Sequence, residues 1–424
     1  MKAAHSGTAP VWMRAADAAG VLRVSRATLY AYVSRGYIRS QAMPGSSRER
    51  GYSRDDVERL RRRTEERRDP DKAAAGALHW GVPILESSIT LIDGRHLYYR
   101  GQDAVGLARS RSLKEVASLI WTGRFDAALS TAPDGMDRAD TANTADTANR
   151  APAGERRLAA RLPFVARAQS ALAVASARDP LAFDVRPGRV APCGWRILHL
   201  LARAVTRSRP EAPTIDQSLA RAWGVSSRGV DLLRSALILC ADHELNVSSF
   251  TARSVASAGS NPYAVVIAGL AALEGTRHGG ASARVESMLA SERRARDLRS
   301  ALAARLRRGE RIDGFGHPLY PSGDPRAAML IEGLRAMYAK SAELAFVLSF
   351  AEAATSAIRE EPNIDFALAA LGSVLGLPSG SPLALFAIGR AVGWIGHAIE
   401  QYATGQLIRP RAKYVGVVPG GIIP

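Results

Sequence analysis

The chain has 424 residues, 47% of them hydrophobic, and carries 57 Lys/Arg against 40 Asp/Glu, a formal net charge of +17. That length supports two or three domains with a sizeable buried core, and the positive charge points to anionic partners such as nucleic acid, CoA phosphates or polycarboxylates. Its two cysteines, Cys193 and Cys240, exclude a disulfide framework and lack metal-ligand spacing; no apolar run of about 18 residues predicts a membrane span, and the first twenty residues lack a signal-peptide core, so a cytoplasmic protein is expected.

Residues 1–70 hold 15 Lys/Arg and 8 Asp/Glu, so part of the charge is concentrated there, although arginine is frequent throughout. Arg14–Leu22 reads as a short alanine-rich helix. Ser25 is a good N-cap for a second helix to about Ser34, since its hydroxyl can accept an orphan backbone N–H, and Gly36 ends it. The polar stretch MPGSSRERGYS reads as a loop. Ser53 opens a third helix with Asp56 at the capping-box place. This layout resembles the winged helix-turn-helix of the MerR and excisionase type, with Ser25-Arg26-Ala27-Thr28-Leu29-Tyr30 matching the start of its recognition helix. The resemblance implies that residues 1–68 contact DNA, with Arg26, Thr28 and Tyr30 facing the duplex and Arg48, Arg50 and Arg54 on phosphates. A protein-contact module with a solvated basic face is the alternative reading.

Residues 69–77 read as a linker. Residues 78–126 contain two short strand-like pieces, then helices. Residues 127–155, with the near-repeat ADTANTADTANR, have little to bury and read as a flexible insertion. From residue 157 the apolar spacing of three and four predicts helices, with Pro/Gly breaks near 187–194, 260–262, 278–280, 314–325 and 376–382.

One of these breaks carries chemistry-bearing residues in quantity. GFGHPLYPSGDPRA, residues 314–327, places His317 and Arg326 in a loop that glycine and proline keep from continuing as helix. Further strings are Ala241-Asp242-His243-Glu244-Leu245-Asn246, Gly275-Thr276-Arg277-His278-Gly279-Gly280-Ala281, Pro362-Asn363-Ile364-Asp365, and FAIGRAVGWIGHAIEQ followed by Leu407-Ile408-Arg409-Pro410-Arg411. Together, and in this order across residues 80–416, they resemble the citrate synthase family. The resemblance implies a mostly α fold, preceded in the chain by the small winged helix-turn-helix domain: a large helical domain from 78–278 and 378–424 and a small domain of 279–377, with the cleft between them closing over substrate.

The resemblance also implies the chemistry. Asp365 is the base that takes a proton from acetyl-CoA, and His278 stabilises the enol. His317 polarises the carbonyl of oxaloacetate, and the citryl thioester is hydrolysed in the same site. Such a carbon acid is too weak for a carboxylate acting alone, so a donor aimed at the thioester oxygen is required. Arg326, Arg390 and Arg409 bind carboxylates with His243 adding a hydrogen bond, because a planar guanidinium matches a carboxylate. Arg409 comes from the neighbouring subunit of a homodimer. Arg390 in an apolar run calls for an anionic partner, whereas His397 reads as structural. No metal and no cofactor are expected, acetyl-CoA being a substrate.

Three positions depart from the family's pattern: Arg277 before His278, Ser282 where asparagine is common, and Pro321 where Lys or Arg is common on the CoA side. Arg277, Arg307, Arg308 and Arg311 are alternative sources of phosphate charge. A 2-methylcitrate synthase using propionyl-CoA, a DNA-binding regulator that senses a metabolite with this fold, and a citryl-CoA lyase are the competing readings. Retention of both Asp365 and His278 favours catalysis, since a sensor needs arginines rather than a carbon-acid base.

Overall fold

The computed structural model describes residues 12–43, 46–58, 60–61, 85–125, 162–206, 212–412 and 414–416, with the backbone alone for 46–48. The expected linker, the insertion at 127–155 and the Arg48 side chain lie outside the described residues. Contacts divide the chain into two compact units, Met1–Glu86 and Ser87–Pro424.

The first unit runs β1 (Trp12–Arg14), α1 (Ala15–Leu22), α2 (Arg26–Ser34), β2 (Ser40–Met43) and β3 (Ser46–Ser53), then a helical turn at 54–58. The strands form an antiparallel sheet in the order β1-β3-β2. α1 stops where Arg23 takes a left-handed φ of 54°. Ser25 caps α2 as its residue type predicts, accepting from the Thr28 N–H at 3.2 Å. Ala18, Leu22, Leu29, Ile38, Tyr52 and Val57 make the core.

Two expectations change here. The polar stretch expected as a loop is largely strand β3: it pairs with β2 at Ser46 and over Arg50–Tyr52 and with β1 over Gly51–Ser53, and Tyr52 enters the hydrophobic core. Asp56 completes only half of a capping box, its N–H donating to the Ser53 hydroxyl at 3.4 Å while the Ser53 N–H goes instead to the Arg39 carbonyl at 3.0 Å. It grips Arg39 through Nε at 2.8 Å and Nη2 at 3.1 Å and accepts the Arg39 backbone N–H at 3.0 Å.

The second unit begins with a small antiparallel sheet, β4 (Thr90–Ile92), β5 (Leu97–Tyr99) and β6 (Gln102–Asp103). Helices follow: α3 (Ala104–Ser110), α4 (Leu113–Thr122), α5 (Phe164–Arg178), α6 (Pro187–Thr206), α7 (Ile215–Trp223), α8 (Ser227–Leu239), α9 (Val247–Ser257), α10 (Pro262–Leu273), α11 (Gly280–Glu292), α12 (Leu298–Arg307), α13 (Pro325–Tyr338), α14 (Ala342–Ile358), α15 (Ile364–Leu375) and α16 (Ser381–Thr404). Local signals set many of their ends. Ser112 and Glu115 close a reciprocal capping box at α4, and Asn261 caps α10 ahead of Pro262 in its first turn. Of the expected breaks, only 187–194 is helical: α6 runs through Pro192, which forfeits one ladder bond and crowds the carbonyl four residues back, so the helix continues at a local cost.

α16 is the axis of the core, packed by α4, α6, α8, α9 and α10. By length and composition alone it could cross a membrane, but 94% of its apolar window is buried inside the protein. Neighbouring helices already cover the surface that lipid would cover. At Gly393 an added Cβ would lie 2.3 Å from Asp242 Oδ1, and the Gly393 N–H donates to the Ala241 carbonyl at 2.8 Å. Only glycine permits that approach, and it lays segment 240–243 against the helix that carries Arg390.

Candidate active site

Two segments distant in sequence are strapped together to hold the polar cluster. The Gly316 N–H donates to the Glu361 carbonyl at 2.8 Å and the Asn363 N–H to the Gly314 carbonyl at 2.9 Å. Asn363 Nδ2 also donates to the Gly316 carbonyl at 3.0 Å. Gly314 takes φ 91° within this strap, a conformation that costs side-chain-bearing residues. Asn363 then caps α15, accepting from the Asp365 and Phe366 N–H groups. The strap thus delivers His317 from one side and Asp365 from the other.

His317 Nδ1 accepts the Leu319 N–H at 3.1 Å, so its neutral ring carries the proton on Nε2. The ring meets His243 edge-on, centroids 4.9 Å apart, and stands 5.1 Å from Tyr320. His243 Nε2 is 3.0 Å from the Tyr320 hydroxyl. His278 Nε2 is 2.9 Å from Ser248 Oγ, which also accepts the Trp394 indole N–H at 3.2 Å. Indole can only donate, and the one Ser248 proton has two acceptors in reach, His278 Nε2 and Asn246 Oδ1 at 2.9 Å; when it turns to His278, the neutral imidazole carries its own proton on Nδ1. Burial pushes the His278 pKa down to about 4, helped by the positive charge of Arg390. Burial and Arg326 do the same to His317, also about 4. Burial, Arg326 and Arg390 hold His243 well below its ordinary value. All three rings are therefore neutral hydrogen-bond donors near pH 7.

Both arginines of the cluster are buried, each 1% exposed. Arg326 is gripped by Asp324 through Nε at 2.9 Å and Nη2 at 2.7 Å. Arg390 donates from Nε to the Cys240 carbonyl at 2.8 Å and lies over the Phe386 ring at 4.6 Å. Its Nη1 is buried with no hydrogen-bond partner. An unmatched cationic donor in a dry pocket is costly unless an anion completes it. Asp365 accepts from Ser282 Oγ at 2.5 Å. Burial raises its pKa, opposed by Ser282 and then Arg326.

His243, His278, His317, Asp365, Arg326 and Arg390 thus fall in one connected cluster. Arg409 stands apart, exposed, in a tail pinned where the Ile408 N–H meets Ser257 Oγ at 3.0 Å. In the first unit Arg26, Tyr30 and Arg50 are exposed and Thr28 is half-buried. Thr28 Oγ1 is 2.9 Å from Ser25 Oγ, and Arg54 pairs with Glu58 at 3.2 Å. Sequence reasoning missed Tyr320, Ser248 and the pairing role of Asp324. Tyr320 and Asp324 lie in the same glycine- and proline-rich string and were open to reading. Ser248 lies 30 positions from His278 and gives no local signal. His397, expected as structural, is fully buried within 3.2 Å of Asp242, the two groups not aligned for a hydrogen bond. Among the described residues no cluster has the make-up of a metal site.

The profile of the citrate synthase C-terminal domain matches residues 77–411. Citrate synthase from Haloferax volcanii is 32% identical over 365 residues, covering 79% of this chain and 94% of its own length. Citrate synthase 2 from Bacillus subtilis is 38% identical over 190 residues, so the match spans 44% of this chain and about half of that relative, 51%. Among solved structures, the ternary complex of carboxymethyl coenzyme A and oxaloacetate with citrate synthase from Thermoplasma acidophilum superposes with a TM-score of 0.62 at 25% identity, over 81% of this chain and 96% of that one.

Proposed function

The chain belongs to the citrate synthase family, and from that premise we propose that it condenses acetyl-CoA with oxaloacetate and hydrolyses the citryl thioester to citrate and CoA. The observation that carries this reading is the unmatched Nη1 of buried Arg390 beside three neutral imidazoles and a buried carboxylate. One carboxylate of oxaloacetate completes Arg390. Arg326, already held by Asp324, contributes its remaining donor capacity and its charge. The His317 Nε2–H donates to the ketone oxygen, and His243 adds a further donor.

Asp365 takes a proton from the acyl methyl group while the His278 Nδ1–H donates to the thioester oxygen, where negative charge accumulates. Neutral imidazole suits that task, because a proton donor with a pKa nearer the enol's shares the proton without surrendering it outright. The nucleophilic carbon attacks the ketone, and the new alkoxide takes the proton from the His317 side. Water then cleaves the thioester. No cofactor or metal is needed; acyl-CoA is a substrate.

The same reading divides the second unit into a large domain, 78–278 with 378–424, and a small domain, 279–377. It pairs two subunits so that the exposed Arg409 of each reaches the other's cleft. The first unit is a winged helix-turn-helix that docks α2 in DNA, with Arg26 and Tyr30 exposed toward bases and Arg50 toward phosphate; Arg54 is partly committed to Glu58. A regulator reading rests on this unit.

The test is CoA release from acetyl-CoA, with propionyl-CoA in parallel, with and without oxaloacetate. Oxaloacetate-dependent release, lost by at least a thousandfold in Asp365→Ala, is expected. A propionyl-CoA preference makes the protein a 2-methylcitrate synthase. Oxaloacetate binding without release from either donor refutes catalysis and favours the regulator.

A further inference from the structure

The base has a partner that the chemistry above does not use. Ser282 is the third residue of α11 and is fully buried. Its hydroxyl donates to Asp365 Oδ1 at 2.5 Å. We propose that Ser282 is the positioning residue of the base. Its bond fixes the carboxylate rotamer, occupies Oδ1 so that Oδ2 takes the substrate proton, and keeps the group ionised in a dry cleft. The inference rests on the reading of Asp365 as the base.

The physical need is direct. A carboxyl removed from water favours its protonated form, which is useless as a base. A hydroxyl donor stabilises the ionised form and opposes that shift. The other charged or titratable groups facing Asp365 are Arg284 from α11, Asp324 and Arg326 at the head of α13, and Cys240 after α8. α14 sends Glu343 to Ser373 at the far end of α15, and α16 contributes Arg390 to the cleft. Arg284 is committed to Asp313 at 2.8 Å and Arg326 to Asp324. None of these is hydrogen-bonded to the Asp365 carboxylate, so no ion pair substitutes for Ser282. A hydrogen bond to a charged group strengthens the charged form by enough to move a pKa by about one to two units.

The test is an isotope-edited infrared titration of the Asp365 carboxyl in the full-length protein, with Asp365→Asn as the blank. Ser282→Ala is expected to raise the midpoint by about one to two pH units, and Ser282→Thr to restore it. Ser282→Cys, a weaker donor of similar size, is expected to fall between, and serves if the alanine variant does not fold. In the active protein the acid limb of kcat follows these midpoints, while KM for oxaloacetate is unchanged. A Ser282→Ala midpoint equal to the wild type overturns the inference. Because the titration reads the carboxyl itself, it decides this point even if the wild type shows no condensation, which would count against the proposed reaction alone.

Discussion

The head of α13 and the middle of α16 each bury an arginine, and they treat its charge in opposite ways. At α13 the string Asp324-Pro325-Arg326 folds on itself. Asp324 caps the helix, grips Arg326 with two hydrogen bonds, and accepts the Ile364 N–H at 3.0 Å. The charge is answered within the chain, and the pair also ties the His317 loop to α15. At α16 no acid is hydrogen-bonded to Arg390. It leans on a carbonyl and an aromatic face and keeps Nη1 open. The first region pairs its charge when the chain folds; the second keeps a buried donor open, which the proposed reaction fills with a carboxylate of the substrate. The same residue type at equal burial is gripped by an acid two residues away in one place and keeps a donor open in the other.

Breaking the two regions should therefore produce opposite profiles. Asp324→Ala strands a buried guanidinium and removes the acceptor for the Ile364 N–H. We expect a loss of about 3–5 kcal/mol of stability, read from the urea midpoint. A loss under about 1 kcal/mol would mean that Arg326 finds another partner and that the contrast is wrong. Arg390→Met removes a charge that no acid grips directly, Asp242 acting on it only through space. Stability should stay within about 1 kcal/mol of wild type, or rise, while oxaloacetate affinity by calorimetry falls about a hundredfold or more, the cost of deleting one partner of a buried charge pair. A variant that loses stability but not affinity would move the anion site away from α16.

Much of this cleft was legible because its residues sit where helices must stop. His278, His317 and Asp365 each follow a glycine, proline or capping signal that can be read locally, and Arg390 declares itself by standing alone in an apolar run. The same local logic placed Ser25 at the start of α2. What could not be read depends on contacts across long stretches of chain. Ser248 orients His278 from another helix, and Gly393 admits Asp242 from 151 positions away. Asp324 was visible beside Arg326, yet sequence alone does not say whether a neighbouring acid faces the arginine or the solvent. In the first unit, β3 was misread as a loop because it sends one hydrophobic side chain, Tyr52, into the core and so lacks the usual alternation.

The smallest expected effect concerns the rings that the two arginines share. His278 and His317 are depressed to about 4 in the folded protein, against about 6.5 when unfolded. Above pH 6.5 both states hold these rings neutral, and no stability is lost. As pH falls from 6.5 toward 4 the unfolded chain takes up protons that the folded cleft refuses, so folding weakens across that window. Asp365, raised in the folded state, acts with the opposite sign, since its folded form keeps a proton that the unfolded form releases. It therefore offsets part of the slope at the acid end. The net loss per histidine is on the order of 1 kcal/mol at pH 5, once partial exposure of each ring is discounted. His317→Gln should flatten the stability curve between pH 7 and 5 by that amount. Arg390→Met should flatten it less, because burial, rather than the neighbouring charge, is the larger cause at His278. An equal flattening in both variants would show that the arginine's field, not the dry cleft, keeps the imidazoles neutral.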